Sequence, residues 1–332
     1  MRPTRTIGIY LVSIIFLGIC VITSLALGSK NIEFSQAINA LLSSNDTSFA
    51  TLVVRERIPR TIFSIIAGAS LGVSGAIMQS ITRNPIADPS ILGVNTGASL
   101  FVVIGIAFFN INSPNQYIWI ALAGAGITTI VVYGIASIGN GGMTPIKLAL
   151  AGAATSAVLS SLVSAIILPR SDVMDTFRFW QVGSVSGATW ESINLILPFI
   201  IIGLMISMAS TPALNVLALG DDVASGLGVN VGIIRIICAT SGVILSGATT
   251  AIAGPIGFIG LMIPHSVRLI FGSNLRGIVP MSAICGASLL IISDVLGRVI
   301  GSPGEIQVGI ITAFLGAPIL IIIARKAKVK AI

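Results

Sequence analysis

Charge is what this 332-residue chain has least of: 9% of its residues are charged and 55% are hydrophobic, and its mean hydropathy is +1.04. A soluble domain carries about 25% charged residues, so the water-soluble classes are excluded and the chain reads as an all-α polytopic membrane protein. Histidine is nearly absent. His265, in GLMIPHSVR, is the single one; alone it builds no histidine metal site, and helix-end capping or packing is its expected role. The three cysteines, Cys20, Cys238 and Cys285, fall far apart inside apolar segments without metal-ligand spacing, so they read as small buried residues and say nothing of redox compartment. None of the five lysines stands in G-x-x-x-x-G-K-[ST], which excludes a phosphate loop of the chain's own. No Ser/His/Asp or Cys/His arrangement has a defensible spacing, so no catalytic, cofactor-binding or metal-ligating residue is expected. All eleven acidic residues are expected in loops or at helix ends. Ion-coupled carriers usually need ionisable or cation-coordinating groups near mid-membrane; this argues against such a carrier, although backbone carbonyls can also hold a cation.

What is abundant is glycine, 36 residues, as expected where helices approach closely in lipid. A spanning helix needs about 20 apolar residues, and the hydropathy pattern predicts ten, over 7–28, 61–81, 91–109, 117–137, 146–168, 192–211, 232–253, 255–271, 279–297 and 306–324. The first apolar run, after Arg2 and Arg5, is longer than a signal-peptide core of about 7–15 residues and reads as a span. An even count puts both termini on one side. Eleven of the 18 basic residues then share that side, as the positive-inside rule requires of the cytoplasmic face, and eight of the 11 acidic residues lie opposite. Both termini are therefore expected in the cytoplasm. The net charge of +7 needs no nucleic-acid partner; the RKAKVK tail suits a stop-transfer flank beside anionic lipid.

Three connections are more than turns. Residues 29–60 contain FSQAINALL, with apolar residues at helical spacing, expected as a short helix on the outer face. Residues 169–191 hold Trp180 and Trp190 with Phe177 and Phe179, an aromatic set suited to a membrane interface; a short outer helix and a re-entrant turn are both compatible with it. Residues 212–231, on the inner side, begin with Pro212 and carry an acidic pair before GLGVN, the pattern of a short surface helix and a tight turn. An inner loop of this length is expected to touch a partner. The stretch Arg55–Gly97 opens with Arg55, Arg57 and Arg60, crosses a small-residue segment and breaks at Asn84-Pro85 and Asp88-Pro89, which predicts a tightly packed helix pair running from outer arginines to an inner proline turn.

The run RERIPR…GASLGVSGAIMQSITRNPIADPSILGVNTGAS resembles the FecCD-type permeases, membrane subunits of ATP-driven importers for ferric siderophores, haem and cobalamin. So do LALGDDVASGLGVNV, GPIGFIGLMIPHSVRLIFG, SDVLGRVI and GEIQVGIITAFLGAP, in the family's order and over nearly the whole chain. One departure is GEIQVG, where the family has Glu-Leu-Pro before Val/Ile-Gly. The resemblance implies the cobalamin-importer-permease-like, type II ABC importer fold with ten helices in one permease domain over 1–332. It implies pairing with a second permease subunit, as homodimer or heterodimer, on two ATP-binding cassette subunits that hold ATP and Mg. It also implies an extracellular or periplasmic binding protein that delivers the substrate, and a place in the bacterial cytoplasmic membrane. By family match, Arg57, Arg60 and Arg298 would dock carboxylates of the binding protein, an assignment guanidinium geometry suits, with Arg55 an extra arginine beside Glu56. Asp221, Asp222, Gly226, Leu227 and Gly228 would couple to the ATPase. Asn84, Ile86 and Thr144 would form the inner gate, although Asn84-Pro85 is also ordinary turn chemistry. A ferric siderophore is the expected cargo, with haem or cobalamin the nearest alternatives. An ion-coupled carrier or channel acting alone, and a sensor or scaffold on the same fold, are the readings from other classes.

Overall fold

The computed structural model describes residues 3–28, 30, 32–42, 48–111, 113–139 and 144–326; the basic residues beyond Lys326, part of the expected stop-transfer flank, lie outside this set. Thirteen α-helices follow one another: α1 (Pro3–Ala26), α2 (Phe34–Leu42), α3 (Phe49–Thr82), α4 (Val94–Phe109), α5 (Pro114–Ala136), α6 (Pro145–Ile167), α7 (Ser171–Gln181), α8 (Trp190–Leu217), α9 (Asp221–Gly226), α10 (Val231–Ala253), α11 (Ile259–Phe271), α12 (Leu275–Ile300) and α13 (Val308–Lys326), with a 3₁₀ turn over Pro89–Leu92. Among the described residues seven helices are long and apolar enough to cross a membrane, and three shorter apolar helices, α4, α11 and most of α13, make up the ten the sequence predicts. α2, α7 and α9 are the three short helices of the longer connections.

The helix starts follow local chemistry. Ser48, Ser113, Thr144, Thr189 and Asn230 each cap a helix by accepting a backbone N–H three residues on, satisfying donors the first turn leaves unpaired. Three boundaries depart from the predicted ones. α3 begins at Phe49 rather than near 61 and runs through Pro59, α8 continues through Pro212 to Leu217, and α12 starts at Leu275, ahead of Pro280. Membrane helices tolerate an internal proline because neighbouring groups satisfy the freed carbonyl. The predicted 91–109 helix divides instead: the 3₁₀ turn ends at Gly93, whose φ of 72° interrupts the helix before α4 begins.

α3 is the hub. At about 1.5 Å per residue its 34 residues exceed any bilayer core of about 30 Å, and it packs on α1, α2, α8, α10, α11 and α12. Its small residues make that possible. A Cβ placed on Gly68 would overlap the Gly286 carbonyl of α12, and one on Gly75 would overlap the Gly260 carbonyl of α11. Backbone therefore meets backbone along this seam, the close approach that stabilises helix pairs in lipid. α6 and α1 are the least buried spans.

Candidate functional sites at the two ends of α3

Arg57 and Arg83 stand 26 residues apart on the axis of α3, about 39 Å at the helical rise, and each belongs to a polar cluster. At the first end, a pocket is lined by Lys30, Glu56, Arg57, Arg60, Arg298 and Glu305. Three guanidinium groups meet there, and two of them face inward. Arg57, 8% exposed, donates from Nη1 to the carbonyls of Leu25 and Ala26 (2.9 and 3.1 Å) and from Nη2 to that of Lys30 (2.7 Å). Arg298, 2% exposed, donates from Nη1 to the carbonyls of Ser24 and Leu27 (both 3.1 Å) and from Nη2 to Ser24 Oγ (2.9 Å). Most of these acceptors are carbonyls at or just past the end of α1, that of Ala26 also accepting the Ile32 N–H at 3.0 Å, and a cation there complements the helix dipole. Gly28 permits the fit, since a Cβ there would lie 2.5 Å from Arg57 Nη2.

Arg60 faces the pocket. Its Nε and Nη2 donate to Asp294 (2.7–3.2 Å) and its Nη1 to Glu305 Oε2 (2.8 Å) and Oε1 (3.1 Å). Asp294 also pairs with Arg298 one helical turn away, at 3.0 Å. The expectation that every carboxylate lies in a loop or at a helix end fails at Asp294, which sits within α12 and is 2% exposed. It survives there because two arginines neutralise it, the condition under which a buried charge persists. With its oxygens taken by guanidinium groups, it is no open cation site. Sequence reasoning missed Asp294 and Glu305, although Asp294 and Arg298 stand at i, i+4 in SDVLGR, a spacing that puts them on one helix face.

At the other end the structure brings together Arg83, Asp221 and Arg235. Asp221, first residue of α9, receives Arg235 Nη2 on both oxygens at 3.0 Å and also pairs with Arg83 Nη2; Arg83 Nη2 further donates to the Leu217 carbonyl at 2.8 Å. Of the coupling residues named from sequence, Asp221 thus turns into its own chain. Asp222, Gly226, Leu227 and Gly228 are exposed, and with Val223 and Leu219 they leave an unpartnered apolar patch. Asn84 Oδ1 accepts the Ile86 N–H at 3.1 Å, and Ile86 is 57% exposed. Thr144 caps α6, taking the Lys147 N–H at 3.3 Å, and borders a small pocket with Ile81, Tyr133 and Arg235; it is not in the Asn84–Ile86 turn. His265 faces the Pro85 carbonyl from α11. Among the described residues no group of three or more His, Cys, Asp or Glu could hold a metal ion.

The connection between α3 and the 3₁₀ turn re-enters the protein. Asp88 caps that turn, its Oδ1 accepting Ser90 N–H at 2.9 Å, and its Oδ2 lies against Gly260 at the start of α11. Burial there pushes the Asp88 carboxyl above the usual carboxylate range, the Ser90 hydrogen bonds offsetting part of the rise.

Residues 16–326 match the model of the FecCD transport family. This chain is a member of the FecCD family. The Fe(3+)-citrate import system permease protein YfmD of Bacillus subtilis (strain 168) is 40% identical over 98% of this FecCD permease and 97% of its own length. The ferric enterobactin transport system permease protein FepD of Escherichia coli (strain K12) is also 40% identical, over 91% and 90%. Among solved structures, a metal-chelate type ABC transporter in an inward-facing conformation aligns with a TM-score of 0.83 and 26% identity, covering 98% of this chain and 100% of that one. The chain is therefore a multi-pass membrane transport subunit with the type II importer permease fold.

Proposed function

We propose that this FecCD permease is the membrane-spanning subunit of an ATP-driven importer and carries a ferric siderophore or related ferric chelate. The observation that carries the reading is the full-length similarity to permeases named for Fe(3+)-citrate and ferric enterobactin. In this reading both termini face the cytoplasm of a bacterium, and the Arg60–Glu305 pocket opens outward. An external binding protein docks there, its carboxylates meeting Arg60 directly while Arg57 and Arg298 hold the α1 end on which the surface rests. The half-exposed Glu305 on Arg60 supports this, because a partner carboxylate can take its place without new desolvation of the guanidinium.

At the cytoplasmic end, α9 seats in an ATPase subunit that binds ATP and Mg. The exposed Asp222, Val223 and Leu227 support this contact: an apolar patch with a polar rim is the surface a protein partner covers. Asn84, Ile86 and Thr144 lie at the inner mouth and close it against a second permease subunit. The test is uptake into proteoliposomes holding the complex that co-purifies with this chain. Ferric citrate, ferric enterobactin, a ferric hydroxamate, haem and cobalamin are each offered with and without internal ATP. ATP-dependent accumulation of a ferric chelate is expected. Accumulation of haem or cobalamin alone would overturn the cargo, and full uptake on an ion gradient without ATP would overturn the energy source.

A further inference from the structure

The ion pairs of Asp221 join two segments, the short helix α9 and the turn that follows α3. We infer that Arg83 and Asp221 are the positioning residues through which displacement of α9 reaches the Asn84–Ile86 turn. This rests on the reading of α9 as the ATPase contact.

Four observations carry it. First, α9 is hung between two glycines in the left-handed region, Gly220 (φ 124°) and Gly228 (φ 82°), so its six residues can swing as one body with little backbone strain. Second, a charge links α9 to the residue that ends α3: the Asp221 carboxylate takes Arg83, and Arg83 also holds the Leu217 carbonyl just before Gly220. Third, Arg83 itself has φ 49°. It is the residue at which α3 ends, a left-handed position common at helix C-termini, so the direction in which the chain leaves α3 for the turn is set at the residue whose side chain holds Leu217 and Asp221. Fourth, the turn beyond is internally braced. Asn84 Oδ1 accepts Ile86 N–H, and the Asn84 carbonyl accepts Ala87 N–H at 3.1 Å, so a shift of Arg83 carries residues 84–87 together. Beside them lies a cleft lined by Gln79, Arg83, Pro85, Arg268 and Leu275, which gives the turn room to move.

Arg235 has a different part. It grips both Asp221 oxygens from α10 and is itself buried, so it anchors α9 whether or not Arg83 is present. Removing the Arg83 guanidinium therefore cuts the connection to the turn and leaves α9 in place, which separates coupling from folding.

The test uses the complete complex in nanodiscs. Spin labels are placed at Ile86 or at Val223, each paired with a reference label at Asn115 at the other end of the molecule, and distances are read with and without ATP, Mg and vanadate. In the otherwise native chain both labels shift on nucleotide binding. With Arg83→Gln the Val223 shift persists and the Ile86 shift is lost. In proteoliposomes the same variant moves about fivefold less ferric citrate per ATP hydrolysed, the lower end of what coupling between sites amounts to. Asp221→Glu, which keeps the charge, retains at least part of the Ile86 shift. An unchanged Ile86 shift in Arg83→Gln overturns the inference alone. Leu227→Cys that fails to cross-link to the ATPase overturns the docking of α9, and this inference with it; a cross-link together with a lost Ile86 shift supports both.

Discussion

Asp294→Asn is the most direct measure of what holds the outer cluster together. The carboxylate accepts from Nε and Nη2 of Arg60 and pairs with Nη2 of Arg298, at 2% exposure. The amide is nearly the same shape, keeps one acceptor oxygen and turns an NH₂ toward a guanidinium. Two cations then remain beside Arg57 with no buried counter-charge. Breaking a buried pair from one side costs about 3–5 kcal/mol, and the lower half of that range is expected because Glu305 still holds Arg60 from the exposed side. The orphaned Arg298 causes much of the loss, so Arg298→Met in the Asp294→Asn background removes a penalty as well as a contact. The two substitutions should be sub-additive by about 1–3 kcal/mol, the range for residues in one network. Equilibrium unfolding of the purified chain in mixed micelles of rising SDS fraction reads all four corners of the cycle. If Asp294→Asn costs under about 1 kcal/mol, as exposed pairs do, or if the two losses simply add, the reasoning about a buried charge network is wrong.

Two further outcomes follow from the packing of α3 and from Asp88. Gly75→Ala forces its methyl into the Gly260 carbonyl and disturbs the Gln79 Nε2 bonds to the Gly260 and Leu261 carbonyls. It should cost about 1–3 kcal/mol, as overpacking does, whereas Gly126→Ala, with nothing within 4 Å, should be neutral or stabilising by up to about 1 kcal/mol; the same micelle titration compares them. Because the folded Asp88 carboxyl titrates above its unfolded value, its contribution to stability is fully present below the ordinary Asp range and is lost as pH rises through the folded pKa. Asp88→Asn, which keeps an N-cap acceptor, should gain stability relative to the native chain from pH 4 to pH 7, and a melting difference independent of pH over that window would refute it.

The ten apolar helices, their order and the short helices at 34–42 and 221–226 are legible in the sequence, because a period of 3.6 and a span of about 20 residues are local properties, whereas residues 169–191 fit a short helix and a re-entrant turn alike. The places where reading fell short share a cause. The hydropathy pattern marks an apolar core but not how far a helix continues past it, so α3, α8 and α12 run beyond the predicted 61–81, 192–211 and 279–297, and α3 and α8 take in Pro59 and Pro212. Arg57, Arg60 and Arg298 line one pocket. Their division into two inward clasps and one outward contact depends on Ser24, Asp294 and Glu305, which lie up to 274 residues away in sequence. Likewise the acidic pair at 221 and 222 marks α9, but the roughly 100° between neighbouring helix positions decides that Asp221 turns to Arg83 and Arg235 and Asp222 to solvent, and a short helix with no amphipathic repeat does not reveal its phase.

The clasp on α1 has a consequence in time. The carbonyls of Ser24 and Leu27 receive Arg298 only after the whole of α12 has been made, 274 residues later than Ser24, and Tyr10 waits almost as long for the Gly277 carbonyl. Ribosomes add about 5–20 residues per second, so α1 leaves part of its end unclasped for roughly 15–55 seconds. During that interval Arg57, 32 residues from Leu25, is the only one of the two clasps already synthesised. The two arginines therefore act in sequence during biosynthesis, one as an early fastening for the nascent hairpin and one as the closure that marks a finished bundle.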